Sequence, residues 1–222
     1  WVRDDVAGKW HHTLVRHGSN AGGIRWIPRD LQVYRDRVTG VDRVFLLLGN
    51  PGIISGVYDP REPSRIRWDR HVEFPFLTKG SFFTRPLGIA EANDALHFSE
   101  GSSIFRRIDG KRPQWEEILN LAEDTDTDVG GIRGLTAIQN PTGKGQSLLF
   151  VWAPGERAQS QVKRLDPDGK GGYTLHDEAN LGQLMSRHLG VKVPYTLGGH
   201  NMMYPVSHPT TGEPVHIIGF YG

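Results

Sequence analysis

Four stretches of the chain share one pattern. Each opens on a cationic or imidazole side chain, places an apolar residue two positions on, and then alternates as a β-strand does. They begin at Arg29-Asp30-Leu31, Arg85-Pro86-Leu87, Arg133-Gly134-Leu135 and His200-Asn201-Met202. A turn pair follows in each, at Thr39-Gly40, Asn93-Asp94, Thr142-Gly143 and Thr211-Gly212, and then a second apolar strand. Those second strands run over residues 44–48, 95–98, 148–152 and 215–220. Val44, Leu148 and Val215 each fall fifteen residues after the opening side chain of their repeat, and only the second repeat is shorter. A third strand ends on an aspartate at Tyr58-Asp59-Pro60, Ile108-Asp109-Gly110 and Leu165-Asp166-Pro167. An aspartate there can accept hydrogen bonds from the backbone amides ahead of it and nucleate the turn. A fourth strand opens on an aromatic residue: Trp68, Trp115 and Tyr173.

The fourth repeat stops after its second strand, at Phe220-Tyr221-Gly222, while residues 1–5, the Ala7-Gly8 turn and residues 10–14 read as the two missing strands. An all-β chain of four-stranded antiparallel repeats resembles the β-propeller proteins, and the resemblance covers nearly the whole sequence. It implies one domain, a four-bladed β-propeller with blades at about 29–76, 85–121, 133–181 and 200–222 plus 1–15, the last closed two strands plus two. The rival architecture is a fragment of a five- to seven-bladed propeller. The Gly-His and Trp-Asp signatures of the WD40 class are missing, and no Kelch double glycine recurs in every repeat. One segment breaks the repeat: residues 180–189 carry leucines at helical spacing and end on Gly190, so a short helix is expected before the fourth blade. It either caps the channel, packs the edge of a blade or walls a cleft.

Composition agrees with many short strands, since 222 residues include 28 Gly and 14 Pro. The formal charge is +1, from 26 basic and 25 acidic residues. No bulk field is therefore available to draw in nucleic acid, and recognition of an anion has to be local. The arginines at 61, 65, 67 and 70 read as a solvated strand edge, or as an edge that another subunit covers. Zero cysteines exclude disulfides and thiolate chemistry. No apolar run is long enough to span a membrane. The first five residues do not read as a signal peptide, and an extracellular or periplasmic setting, with any leader removed, is the expectation.

The propeller resemblance implies that first strands line a central channel. Arg29, Arg85, Arg133, His200 and Asn201 would then meet near one rim. Guanidinium forks match carboxylate, sulfate or phosphate in pairs of hydrogen bonds, so the expected ligand is anionic, for example an acidic saccharide. The plainer reading pairs each arginine with a nearby acid such as Asp30. A second copy of Gly-Gly-Ile-Arg, at 22–25 and again at 130–133, offers a register in which Arg25 replaces Arg29.

Other clusters carry weaker chemistry. His200 with Tyr204 could abstract a proton beside a neutralised uronate, as in polysaccharide lyases, several of which are propellers. A glycoside hydrolase would need two facing carboxylates, and no spacing selects a pair from Asp30, Asp94 and Glu100. His11, His12, His17, His97, His200, His208 and His216 read as ordinary hydrogen-bonded imidazoles or, less simply, metal ligands. Asp124, Asp126 and Asp128 alternate before two glycines and could face calcium, although position twelve of that run is Leu135 and not glutamate. The expected functions are binding of an anionic ligand or a protein partner, a lyase or hydrolase at the same rim, or a structural subunit.

Overall fold

A computed structural model describes residues 2–4, 8–11, 28–48, 52–59, 61–62, 66–69, 72–75, 88–122, 131–155, 158–194 and 203–218. Strand β1 (Val2–Asp4) pairs antiparallel with β2 (Lys9–His11). The first large sheet runs β3 (Pro28–Arg35), β4 (Asp42–Leu48), β5 (Gly52–Val57), with β6 (Arg67–Trp68) and β7 (Phe74–Pro75) both paired to β5. The second is a meander of β8 (Gly88–Ala92), β9 (Ala95–Glu100), β10 (Ser103–Ile108) and β11 (Gln114–Asn120). The third is a meander of β12 (Gly131–Gln139), β13 (Gln146–Ala153), β14 (Gln161–Pro167) and β15 (Tyr173–Asn180). Helix α1 (Leu181–Leu189) and the hairpin of β16 (Met203–Ser207) with β17 (Pro214–Ile218) follow. Every pairing is antiparallel, as short strands joined by tight turns require. The fourth strand expected from Trp68 is split in two, because the chain leaves β5 after Trp68 and returns to it at Phe74.

The first-to-second-strand turns show how closely the repeats copy one another. Asp36 Oδ1 accepts the amides of Val38 and Thr39 at 3.1 and 2.7 Å. Asn140 Oδ1 accepts that of Thr142 at 2.9 Å, and His208 Nδ1 accepts those of Thr210 and Thr211 at 3.3 and 3.2 Å. Each is a side-chain acceptor closing its own six-residue loop, which is why Asp, Asn and His can exchange there. The second sheet uses a two-residue turn instead, with Asn93 and Asp94 at φ 49° and 60°, the conformation that matches strand twist.

Consecutive sheets stand with their first strands side by side: β8 lies beside β3 and β12, and β12 beside β16. The approach of β8 to β12 is close enough to demand glycine, since a Cβ on Gly88 would sit 2.5 Å from the Leu135 amide nitrogen. Between β3 and β8 the Asp30 carboxylate takes the Ile89 amide at 3.0 Å and its neighbour Leu31 at 2.8 Å. Burial raises the Asp30 pKa, and these two amides oppose the rise.

The core fills the spaces between sheets. Tyr34, Phe45, Leu47, Ile53 and Phe74 of the first sheet meet Ile89, Leu96 and Phe98 of the second. Phe98 stacks on Phe105 at 5.1 Å and takes the edge of Phe74 at 4.6 Å. Ala90, Ala92 and Ile104 of the second sheet meet Ile132, Leu135, Leu148, Phe150 and Trp152 of the third. Each large side chain so buried contributes roughly 1.5–3 kcal/mol. A third cluster of Val151, Val162, Leu181 and Met203 ties α1 and the last hairpin to the third sheet. The helix begins on Asn180, whose side chain accepts the Gln183 amide at 3.0 Å, and stops at Gly190 in the left-handed conformation. Leu181 is buried but Leu184 and Leu189 are exposed, so α1 packs the sheet edge through its first turn.

Candidate functional site

The two first-strand arginines that fall among the described residues occupy matching places. Strand β3 has a register irregularity between Pro28 and Asp30, and β12 has one between Arg133 and Leu135. Arg29 and Arg133 each lie seven positions before the turn-capping residue, Asp36 or Asn140. Both are buried, at 8% and 1% exposure. Burial first and the positive charge of Arg29 second lower the Arg133 pKa to about 10. Two desolvated guanidiniums thus feel one another, an arrangement that a bound anion relieves.

Counting back from His208, the third turn cap, the same seven positions reach Asn201, one place beyond His200. Arg85, His200, Asn201, Arg25 and the acidic run Asp124, Asp126 and Asp128 lie outside the described residues. Tyr204 sits on β16 and is half exposed. Among the described residues no group of three His, Asp or Glu is arranged to hold a metal ion. His208 serves as a turn cap. His97, on β9, is buried. Burial first and the Arg106 charge second push its pKa down to about 4, so the ring is neutral. Burial also lowers the pKa of His216. Neither Asp94 nor Glu100 is paired with Asp30, whose hydrogen bonds go to backbone amides.

A second polar site lies between the outer strands of the first sheet and the β10–β11 turn. It is a cavity of about 410 Å³. Its floor is Arg107, whose Nε bonds Glu73 Oε1 at 2.6 Å, whose Nη1 bonds Asp36 Oδ2 at 2.8 Å and which also pairs with Asp109. Burial alone would lower the Arg107 pKa, but Glu73, Asp36 and Asp109 outweigh it and raise it. Burial works against the Asp36 carboxylate as well, yet Arg107 and the Thr39 amide hold its pKa down to about 2. Asp109 continues the network to the Tyr34 hydroxyl and the Arg37 amide, both at 2.6 Å. Burial and then Asp109 raise the Tyr34 pKa, so the phenol remains a donor. Higher in the cavity Arg43 pairs with Asp69, and its Nη2 reaches the Ser55 hydroxyl at 3.0 Å. Ser55 Oγ lies 2.7 Å from Asp69 Oδ2 and 2.9 Å from Glu73 Oε2. Val41, Val57, Val72 and Pro113 form the apolar wall, and Lys111 stands at the rim.

The third sheet repeats part of this arrangement. Arg106-Arg107-Ile108 at the end of β10, followed by Asp109, answers Lys163-Arg164-Leu165-Asp166 on β14. Arg164 grips Asp166 with two nitrogens at 2.8 and 3.2 Å, and the preceding cations pair across to the fourth strand, Arg106 with Glu116 and Lys163 with Asp177. Asp166 accepts further bonds from Ser147 and Thr142, at 2.6 and 3.1 Å. Sequence reasoning found these aspartates as turn formers but passed over the arginines two places before them. The repeated basic-Arg-aliphatic-Asp run was the signal available. No protein-family profile, curated protein or solved structure matches the chain.

Proposed function

We propose that the chain is a four-bladed β-propeller that binds an anionic group, such as an acidic saccharide, where its first strands converge. The order of packing from β3 through β8 and β12 to β16 supports the ring. In this reading the β1–β2 hairpin completes the sheet begun by β16 and β17, and the chain works outside the cytoplasm as a binding protein. Arg29 and Arg133 supply two guanidinium forks from matching strand positions, and Arg85, His200 and Asn201 complete the rim.

The observation that carries the reading is the coupling of Arg29 to Arg133 in a buried setting. A carboxylate or sulfate placed between them forms charge-assisted hydrogen bonds with both and removes their repulsion. Thermal unfolding in sulfate or oligogalacturonate, against chloride at equal ionic strength, tests this. Ligand at a hundredfold excess over Kd stabilises a protein by about 2.7 kcal/mol. The wild-type chain gains such stability from the divalent or polymeric anion and the Arg29→Met chain does not. Equal behaviour of the wild-type chain in all three salts rejects the reading.

A further inference from the structure

Beyond its first turn, helix α1 leads away from the core. Leu181 packs with Val151 and Val162 of the third sheet and Gly182 is buried beside Gln159, but all six residues from Arg187 to Lys192 are exposed. That tip presents Leu189 at 56% and Val191 at 59% exposure, with Leu184 at 43% beside Arg187 and His188, three and four positions on. The tip is not free to turn these side chains inward, because Ser186 pins both of its ends. The Ser186 carbonyl accepts the Gly190 amide at 3.0 Å, and its hydroxyl donates to the Gly182 carbonyl at 2.7 Å while accepting the Val193 amide at 2.9 Å. Gln159, in the β13–β14 connection, donates to the Val193 carbonyl at 3.1 Å. The charge of the tip has one sign. Arg187 and Lys192 make no ion pair among the described residues, and from Ala179 to Gly212 the chain has no acidic residue. Arg187 also suits the negative end of the helix, but Lys192 lies three residues beyond that end, where this reason is absent.

We propose that this tip docks the chain on an anionic lipid surface. Leu189 and Val191 enter the boundary between headgroups and acyl chains, and Arg187 and Lys192 pair with the lipid phosphates above it. A lipid interface conforms to a protruding tip and needs no preformed groove, and outward apolar side chains flanked by cations match it in polarity and in charge. A stable protein interface takes about 20–30 residues from each side, far more than the tip offers. Docking is peripheral and reversible, because so few apolar side chains fall well short of a spanning segment. The tip is separate from the first-strand arginines, and its failure leaves the anion reading standing.

Flotation of the whole chain with vesicles of phosphatidylglycerol and phosphatidylcholine, against phosphatidylcholine alone, tests it. Binding is expected to the anionic vesicles, about tenfold weaker to the neutral ones, and reduced by high salt. The chain has no cysteine, so Leu189→Cys and, in the exposed first turn of the first sheet, Val38→Cys each give a single site for an environment-sensitive fluorophore. The label at 189 is expected to shift to the blue on anionic vesicles and the label at 38 to stay unchanged. Val191→Ser, and Arg187→Gln together with Lys192→Gln, all at exposed positions, are each expected to weaken vesicle binding about tenfold with an unchanged melting temperature. Absence of binding to anionic vesicles, equal binding to neutral ones, equal shifts of the two labels, or affinity indifferent to the charge variant would each overturn the proposal. So would binding of polyglutamate without binding of the vesicles, which would assign the tip to an acidic protein.

Discussion

Arg107 on β10 bonds Glu73 with an Nε to Oε1 distance of 2.6 Å, joining the second sheet to the loop that leads into the last strand of the first. The same guanidinium holds Asp36 and Asp109, and its plane lies over the Phe45 ring at 5.1 Å. One side chain thus pairs with three carboxylates, each no more than 8% exposed.

Replacing Arg107 by methionine leaves those carboxylates buried without their cation. Removal of one member of a buried ion network costs about 3–5 kcal/mol. Urea unfolding of Arg107→Met is expected to show a loss of that size. Arg37→Ala, which removes an exposed pair with Glu91 and Asp94, should leave the urea midpoint almost unchanged.

The Asp36 carboxylate gives the network a signature in acid. Its folded pKa of about 2 lies below the ordinary carboxylate value of 3.8. A depressed carboxylate contributes stability that is complete above the unfolded pKa and is lost as pH falls through the folded one. Asp36 therefore contributes about 2 kcal/mol at neutral pH, lost between pH 4 and pH 2. Asp36→Asn should flatten the stability curve over that window.

His97 acts in a different window. Its pKa falls from 6.5 to about 4 on folding, so the unfolded chain takes up the proton more readily. Stability contributed by the neutral ring is complete above pH 6.5 and declines toward pH 4, by about 3 kcal/mol. Phe150 holds the corresponding place in the third sheet, opposite Lys163 as His97 is opposite Arg106. His97→Leu should therefore fold, lose the pH dependence between 4 and 6.5, and equal or exceed the wild type at pH 5. Guanidinium titrations at pH 5 and pH 8 make the comparison.

Gly88 and Gly169 separate steric from conformational need. A Cβ on Gly88 meets the backbone of Leu135, which cannot move without displacing β12. Gly169 sits at φ +73° with nothing within 4 Å. Gly88→Ala should cost on the order of 3 kcal/mol or prevent folding. Gly169→Ala should cost about 1 kcal/mol. Melting temperatures of the two variants give the ranking.

What could be read from the chain beforehand was local. Alternation located the strands, and Thr39-Gly40, Thr142-Gly143 and Thr211-Gly212 marked turns whose caps lie within three residues. The leucines before Gly190 marked α1. The Arg107 network was not legible, because its partners lie 34 and 71 positions away and meet only when two sheets pack. Asp69 and Glu73 lay beside an arginine-rich stretch read as a solvated edge, and nothing in their spacing revealed that Ser55 stood between them. The register of the last repeat needed the turn geometry, since His208 as cap moves the counterpart of Arg29 from His200 to Asn201.

The central claim is that Arg29 and Arg133 gather an anion inside a ring of four sheets. Diffraction from crystals soaked in selenate, recorded at the selenium edge, tests it most directly. The account predicts an anomalous peak within hydrogen-bonding distance of both guanidiniums, with β1–β2 joined to β16–β17. No peak at the two guanidiniums, or four sheets that do not close, would contradict it.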